Sequence, residues 1–424
     1  MKRFIIALLA LLLCCSAVFA AEEPVIDYSE SLDFSFQPTL SRYSAMGQSG
    51  LAAPGRLDSF YTNPAALASG RFGLSLPSVS FTLYNAQKIV SDETQRDLIS
   101  TAVSGKATQD ETLLLAEKLV KNLGNGYNLL AKVDASAGVE LGAFGLGTNV
   151  QAKFHTFADG TSNLTNTTII PEVNVAQTVA VGFNLIKSDA FKLQFGVSGH
   201  LTYKVYLEGQ NAKTISRLFA KDETEGIANG LLWDSPLMGG FAIPFDVGAT
   251  ISLAKDAIRL SATVNNLNGT YYMKSYTSVG DFLNSTEKVV LDNVPEDHVT
   301  NESMEFRIET PYTVNVGFAF SPNIIFKPVI TVDVLDAVEV YNEIKANGFQ
   351  ASEFLLHLNA GAELSFALFN LRAGINSGYA SIGVGVSLLG VRVDAAYGWQ
   401  EFGTEIGDKP VDSLTIRVNL GYDK

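Results

Sequence analysis

The sequence has little cysteine, tryptophan, histidine or positive charge, and it has one extended apolar run. Its two cysteines, Cys14 and Cys15, both fall inside that run. Residues 1–20 carry Lys2 and Arg3, an apolar stretch from Phe4 to Cys15, and Val18 and Ala20 before a cut after Ala20. This pattern predicts a cleaved secretory signal peptide over residues 1–20. The alternative is a lipoprotein cut ahead of Cys14 or Cys15, for which Leu13 or Cys14 is a poor preceding residue. A cut after Ala20 leaves no cysteine, which excludes disulfides, thiolate metal ligands and a cysteine nucleophile. The run is short for a spanning helix of ~20 residues, and no later stretch is as apolar over that length. Lys and Arg total 30 against 44 Asp and Glu, a net charge of −14. That balance excludes a nucleic-acid groove, which needs a basic stripe.

What is abundant is glycine (36) and phenylalanine and tyrosine (26 and 15), while only 17% of residues are charged. Long stretches alternate with period two. In the last segment Leu414, Ile416, Val418, Leu420 and Tyr422 share one face, and Thr415, Arg417, Asn419 and Gly421 the other. Residues 191–206 and 355–368 alternate in the same way. Alternation of this kind marks a strand with one apolar and one polar face. Such a face suits a soluble sandwich or a membrane barrel equally. Three features favour the barrel. Many strands reach ten residues or more, the length that crosses a bilayer on a tilt. Tight turns near Gly142, Lys187–Ala190, Ala254–Asp256, Ser321–Phe326 and Phe369–Asn370 alternate with long polar segments at 85–127, 158–171, 207–237, 268–305 and 336–354. The chain is also expected to be exported, and it is mildly hydrophobic (mean hydropathy +0.16) without an expected spanning helix.

The expected fold is all-β: an antiparallel transmembrane β-barrel of about 14 strands over residues 71–424. The expected strands are 71–84, 128–141, 145–157, 172–186, 191–206, 240–253, 258–267, 311–320, 328–335, 355–368, 370–376, 379–388, 390–398 and 412–422. The external loops are expected to be partly helical, at 109–124 and more weakly at 212–223. Residues 21–70 fit no strand pattern and are rich in Gly, Ala, Pro and Asn. A barrel this wide leaves a lumen, so this segment is expected to plug it. Lys132, Asp134, Lys153, Lys192, Lys204, Asp246, Arg259, Asp333, Glu363, Arg372, Asp394 and Arg417 take the inward phase. Their mixed signs favour pairing with each other and with a plug over an open, charge-selective pore.

The segment "AMGQSGLAAPGRLDSFYTNPAALAS" resembles the N-terminal part of FadL-type outer-membrane transporters. It is similar also to PorV-type and TraF-like barrels and to the FadL-like proteins of spirochetes. "VITVDVLDAVEVY", "LHLNAGAELSF" and the strands after Asn370 are similar to the last third of the PorV- and TraF-like group. The resemblance implies an N-terminal hatch inside a fourteen-stranded barrel of a diderm outer membrane. Asn63, Pro64, Ala65 and Ala66 match the hatch motif, and Asp58 its acidic residue, although "PGRLD" stands where relatives carry two adjacent acids. FadL-type members pass long-chain fatty acids or other hydrophobic molecules by passive diffusion, through an external groove and a lateral wall opening. PorV-type members instead shuttle secreted proteins. Hence the expected function is a channel for hydrophobic small molecules, the alternatives being a secreted-protein shuttle or a general porin. The expected partners are membrane lipid and a hydrophobic solute, with secreted proteins in the shuttle reading.

No enzyme, metal or cofactor is expected. The histidines are His155, His200, His298 and His357, of which His298 is placed in a loop and the others on the lumen face. None sits in a nucleophile motif. "GAFGLG" and "GVGVSLLG" precede no helix, so they read as turns and strand packing, not phosphate loops.

Overall fold

A computed structural model describes residues 40–55, 59–104, 106–158, 162–211, 236–286, 304–403 and 405–423. Residues 1–20, Asp58, His298 and the weaker helix at 212–223 lie outside them. The strands are β1 (Arg71–Tyr84), β2 (Gly126–Gly142), β3 (Phe144–Ala158), β4 (Thr167–Lys187) and β5 (Phe191–Leu207). Three strands in two pieces each follow: β6 (Leu237–Ala242, Phe245–Leu253), β7 (Ile258–Leu267, Thr270–Tyr276) and β8 (Glu305–Glu309, Thr313–Phe320). The rest are β9 (Val329–Val334), β10 (Leu358–Ser365), β11 (Phe369–Asn376), β12 (Tyr379–Leu388), β13 (Val391–Glu401) and β14 (Pro410–Asp423). Each pairs antiparallel with its neighbours, and β14 closes on β1 from Gly73↔Asp423 to Tyr84↔Ser413. The result is a closed barrel of fourteen antiparallel strands.

Closure gives every strand an inside and an outside. Along β12, Ile382, Val384, Val386 and Leu388 face out and are exposed, while Ser381 on the opposite phase is buried. Phe318 and Phe320 on β8, Leu371 and Ile375 on β11, and Ile416 and Val418 on β14 extend the same exposed apolar belt. Buried polar side chains face in. A belt of apolar side chains outside and polar ones inside is the arrangement of a membrane-spanning barrel. No helix among the described residues is long and apolar enough to cross a membrane. Most short connections, such as Gly142–Phe144 and Leu388–Val391, lie at the end holding the last residues of β14, whereas the turn Ser377–Gly378 lies at the opposite end. The long ones lie at that opposite end.

The long connections are more helical than the sequence suggested. After α1 (Ser41–Ala45) come α2 (Ala86–Ser91), α3 (Glu93–Val103), α4 (Gln109–Leu123), α5 (Val279–Thr286), α6 (Ala337–Asn347) and α7 (Ala351–Leu356). In α4, which was expected, Thr108 and Glu111 form a reciprocal capping box. Strands β2 to β5 are long, at 17, 15, 21 and 17 residues, and overshoot the belt. There the outward Ala152 and Phe154 are buried under Val120 of α4, in a cluster that includes Val279 and Phe282 of α5.

Four expectations need correction. Residues 351–356 are helical, because pairing on β9 begins only at Val334↔Leu358. His357 therefore caps α7, 3.5 Å from Glu343, and does not line the lumen. The turn expected at Phe369–Asn370 lies at residues 366–368, closed by Phe366 N–H donating to the Phe369 carbonyl at 2.7 Å. The segment 268–305 was read as connection only, but it holds the second piece of β7 and begins β8.

Asp92 caps α3 and accepts from Lys118 of α4 at 2.9 Å and from the Gln95 backbone and side chain. These donors, Lys118 first, hold its carboxyl below the ordinary 3.8, at about 2. Its support for the α3–α4 pair is complete above pH ~4 and is lost as pH falls through about 2. Hydrogen exchange in α3 should stay slow at pH 4 and rise by pH 2, and Asp92→Asn should remove that step. In the belt, Ile382→Arg should cost about 2–4 kcal/mol of folding stability in bilayers by urea titration, against little for Ser381→Thr.

Candidate transport lumen

The described residues before β1 lie against the inner face of the wall. Asn63 is the hinge of their second half. Its backbone is extended (φ −150°), as expected before proline, and Pro64 opens the 3₁₀ turn Pro64–Ser69. The Asn63 Oδ1 accepts the Ala65 N–H at 3.0 Å. Its Nδ2 donates to the Leu51 carbonyl and to Thr250 Oγ1 on β6, each at 3.1 Å. One amide thus caps a turn, ties it to the preceding loop and pins both to the wall.

The wall accepts this turn because it is stripped of side chains there. A Cβ at Gly196 would stand 2.3 Å from the Pro64 carbonyl carbon, one at Gly182 2.7 Å from the Pro64 oxygen, and one at Gly248 2.2 Å from Asn63 Oδ1. These glycines sit on β4, β5 and β6, paired as Gly182↔Gly196 and Gly196↔Gly248, so they form one row. Across the barrel, Cβ atoms at Gly361 and Gly374 would meet the backbone of Met46 at 2.5 and 2.2 Å. Asn184 Nδ2 donates to the Ala68 carbonyl at 2.7 Å and completes the first seat.

The first half of the segment is held by charge. Arg42 donates from Nε and Nη2 to both oxygens of Glu363 at 3.1 and 3.0 Å, and from Nη1 to the Pro54 carbonyl. Arg372, in register with Glu363, donates to it at 2.7 Å and to Asp394 at 2.6 Å. Arg42, Glu363, Arg372 and Asp394 are all buried, so this ladder is screened from water. Asp333 Oδ2 accepts the N–H groups of Gly50 (2.6 Å) and Leu51 (2.9 Å).

Other inward residues named from the sequence fall into separate groups. Lys153 and Lys204 stand 3.8 and 3.5 Å from Glu172, which also takes His155 at 2.6 Å and Asn174. Asp134 accepts from Gln151 at 2.7 Å, and Arg417 donates to Ser78 at 2.6 Å. Lys132 lies in register with Thr82 and Lys153. Asp246 takes His200 at 3.0 Å, and Lys192 pairs with Asp256. Arg259 lines a cavity of about 230 Å³ beside Asn63, with Arg71 and Lys192. A second cavity of about 590 Å³ is lined by Arg42, Arg392 and Arg417 and opens toward the short-turn end. Sequence reasoning missed Arg42, Glu172, Thr250 and the seat glycines. Only their inward phase could have flagged the wall residues.

Toward the long-loop end the lumen changes character. β6, β7 and β8 break at neighbouring levels, at residues 243–244, 268–269 and 310–312. Side chains stitch the gap: Asn266 Nδ2 donates to Thr310 Oγ1 (2.6 Å) and the Pro311 carbonyl (2.9 Å), and Asn268 Nδ2 to the Ile243 carbonyl (3.1 Å). Beyond the break the polarity inverts. Glu305, Arg307 and Glu309 point outward, with Arg307 over the Tyr272 ring at 5.1 Å. Inward, Phe157, Ile170, Tyr206, Tyr271 and Met273 form a buried apolar cluster joined by Phe306 and Ile308. Its floor is the Glu172 group, with Lys204 Nζ 5.0 Å from the Tyr271 ring centre.

Gly196→Val should overpack the seat, lower stability by about 1–3 kcal/mol and expose residues 40–70 to added protease. Unchanged cleavage would contradict the seat. Glu363→Ala leaves Arg42 without its carboxylate and Arg372 with Asp394 alone, and should cost about 3–5 kcal/mol by urea titration, with Arg42→Ala costing clearly less because Glu363 keeps Arg372.

No protein-family profile and no curated protein matches this sequence. Among solved structures, the toluene transporter TodX of Pseudomonas putida is similar at 11% identity, over 92% of this chain and 99% of that one, with a TM-score of 0.43. A FadL homologue of Pseudomonas aeruginosa aligns at 12% identity over 92% and 99%, also with a TM-score of 0.43. The translocator domain of the autotransporter NalP from Neisseria meningitidis aligns at 7% identity over 83% and 88%, with a TM-score of 0.31. At these scores the likeness adds no weight to what strand pairing establishes directly.

Proposed function

We propose that the protein is an outer-membrane channel for hydrophobic small molecules, long-chain fatty acids among them, working by passive diffusion. The observation that carries this reading is the inverted polarity above the break, where an inward apolar and aromatic cluster meets a buried charged floor. A hydrophobic solute gains from leaving water for such a lining. An amphiphile would also find Lys153 and Lys204 at its base. Residues 21–70 act as the hatch, after removal of residues 1–20, and the described parts of it are seated by Asn63, Arg42 and the wall glycines. The stitched break in β6–β8 is the proposed side exit, because there the regular ladder gives way to side-chain bonds and isolated backbone bonds such as Thr310 N–H to the Gly269 carbonyl. The general-porin alternative is disfavoured by the mixed, mutually paired charges of the lumen.

Uptake of labelled fatty acid should be faster in diderm cells carrying this gene than in cells without it. Met273→Asp, which puts a charge in the apolar cluster, should cut that difference about tenfold or more while leaving heat-modifiable gel migration intact. Equal uptake with and without the gene would remove the transport reading.

A further inference from the structure

The barrel wall is low on one side. β9 has 6 residues and β10 has 8, against the ~9–11 a tilted strand needs to cross a bilayer. The connection after β9 therefore begins at bilayer depth. At the opposite edge of this sector, Ile324, Ile325 and Phe326 in the turn before β9 are exposed. The helix α6 starts at Ala337, just past Val334. Its helical spacing puts Val338, Tyr341, Ile344 and Lys345 on one face and Glu339, Asn342 and Glu343 on the other.

The apolar face is left exposed, as are Glu339 and Asn342 on the other face. Tyr341 is 64% exposed, Val338 and Ile344 each 40%, and Phe349, just after the helix, 64%. Of the whole helix only Val340 is buried. On the acidic face Glu343 pairs with His357 at 3.5 Å. A helix hairpin standing in water would cover a face carrying Tyr341, Ile344 and Val338. We propose that α6 and the start of α7 form a membrane-interface element. Their apolar face lies in the acyl–headgroup boundary of the leaflet on the long-loop side and completes the belt where the wall is shortest. Three features point to lipid as the occupant: the height deficit of β9 and β10, continuity with the exposed Val332 and Val316 of the belt, and the mixed edge of the face. Lys345 can reach headgroups from that edge along its own stem.

The test uses single cysteines in a chain with Cys14 and Cys15 replaced by serine. Tyr341→Cys, Phe349→Cys, Glu339→Cys and the belt control Ile382→Cys are labelled with a polarity-sensitive fluorophore. The proteins are placed in phosphatidylcholine vesicles with and without spin-labelled acyl chains. Heat-modifiable migration confirms that each variant folds. Quenching by the lipid spin label at residues 341, 349 and 382, but not 339, is the expected result. Quenching at 382 with water-like emission at 341 overturns this proposal alone. Absence of quenching at 382 overturns the membrane-spanning reading on which it rests. Protection at 341 that appears in detergent and depends on protein concentration assigns the face to a second copy, and also overturns it.

Discussion

Everything in this structure follows from closing a sheet in a membrane. Backbone groups in hydrocarbon have no water to bond, so an open edge is untenable and the first strand must find the last. The pairing of β1 with β14 meets that demand. Closure then divides every strand into an outer row, which lipid accepts if apolar, and an inner row, which must be satisfied from within. The interior polar residues are not spare; they have to be bonded to something.

That requirement explains the N-terminal segment. A wide barrel encloses more inward backbone and charge than its own side chains can fill. Without the segment Asp333 would lose the Gly50 and Leu51 amides, and Glu363 would keep only Arg372. The segment in turn has too few apolar residues for a core of its own, and it borrows the wall. The fit is possible only because Gly182, Gly196 and Gly248 leave the wall bare where Asn63 and Pro64 approach. Charge on one side and vacancy on the other hold one chain segment in one place.

The strands were legible in the sequence because a period of two is unambiguous over ten or more residues. Of the named inward charges, Arg372 is representative: its phase alone placed it, and the structure buries it between Glu363 and Asp394. What was not legible were relations between distant positions. Arg42 meets Glu363 across 321 residues, and nothing near Arg42 marks it. Gly196 reads as a weak spot in a strand until the Pro64 backbone is seen against it. The start of β10 was misjudged because Leu355, Leu356 and Leu358 satisfy helix and strand patterns alike. The inversion of polarity in β7 and β8 was hidden because the segment between residues 268 and 305 reads as polar overall.

The central claim is that the lumen is closed by the chain's own N-terminal segment while remaining a path for hydrophobic solutes. Conductance of the purified barrel in planar bilayers tests its first half directly. The account predicts that the intact protein passes almost no ions, and that deleting residues 44–69 from a correctly folded barrel opens a steady conductance. A large, steady conductance in the intact protein, unchanged by the deletion, would contradict it.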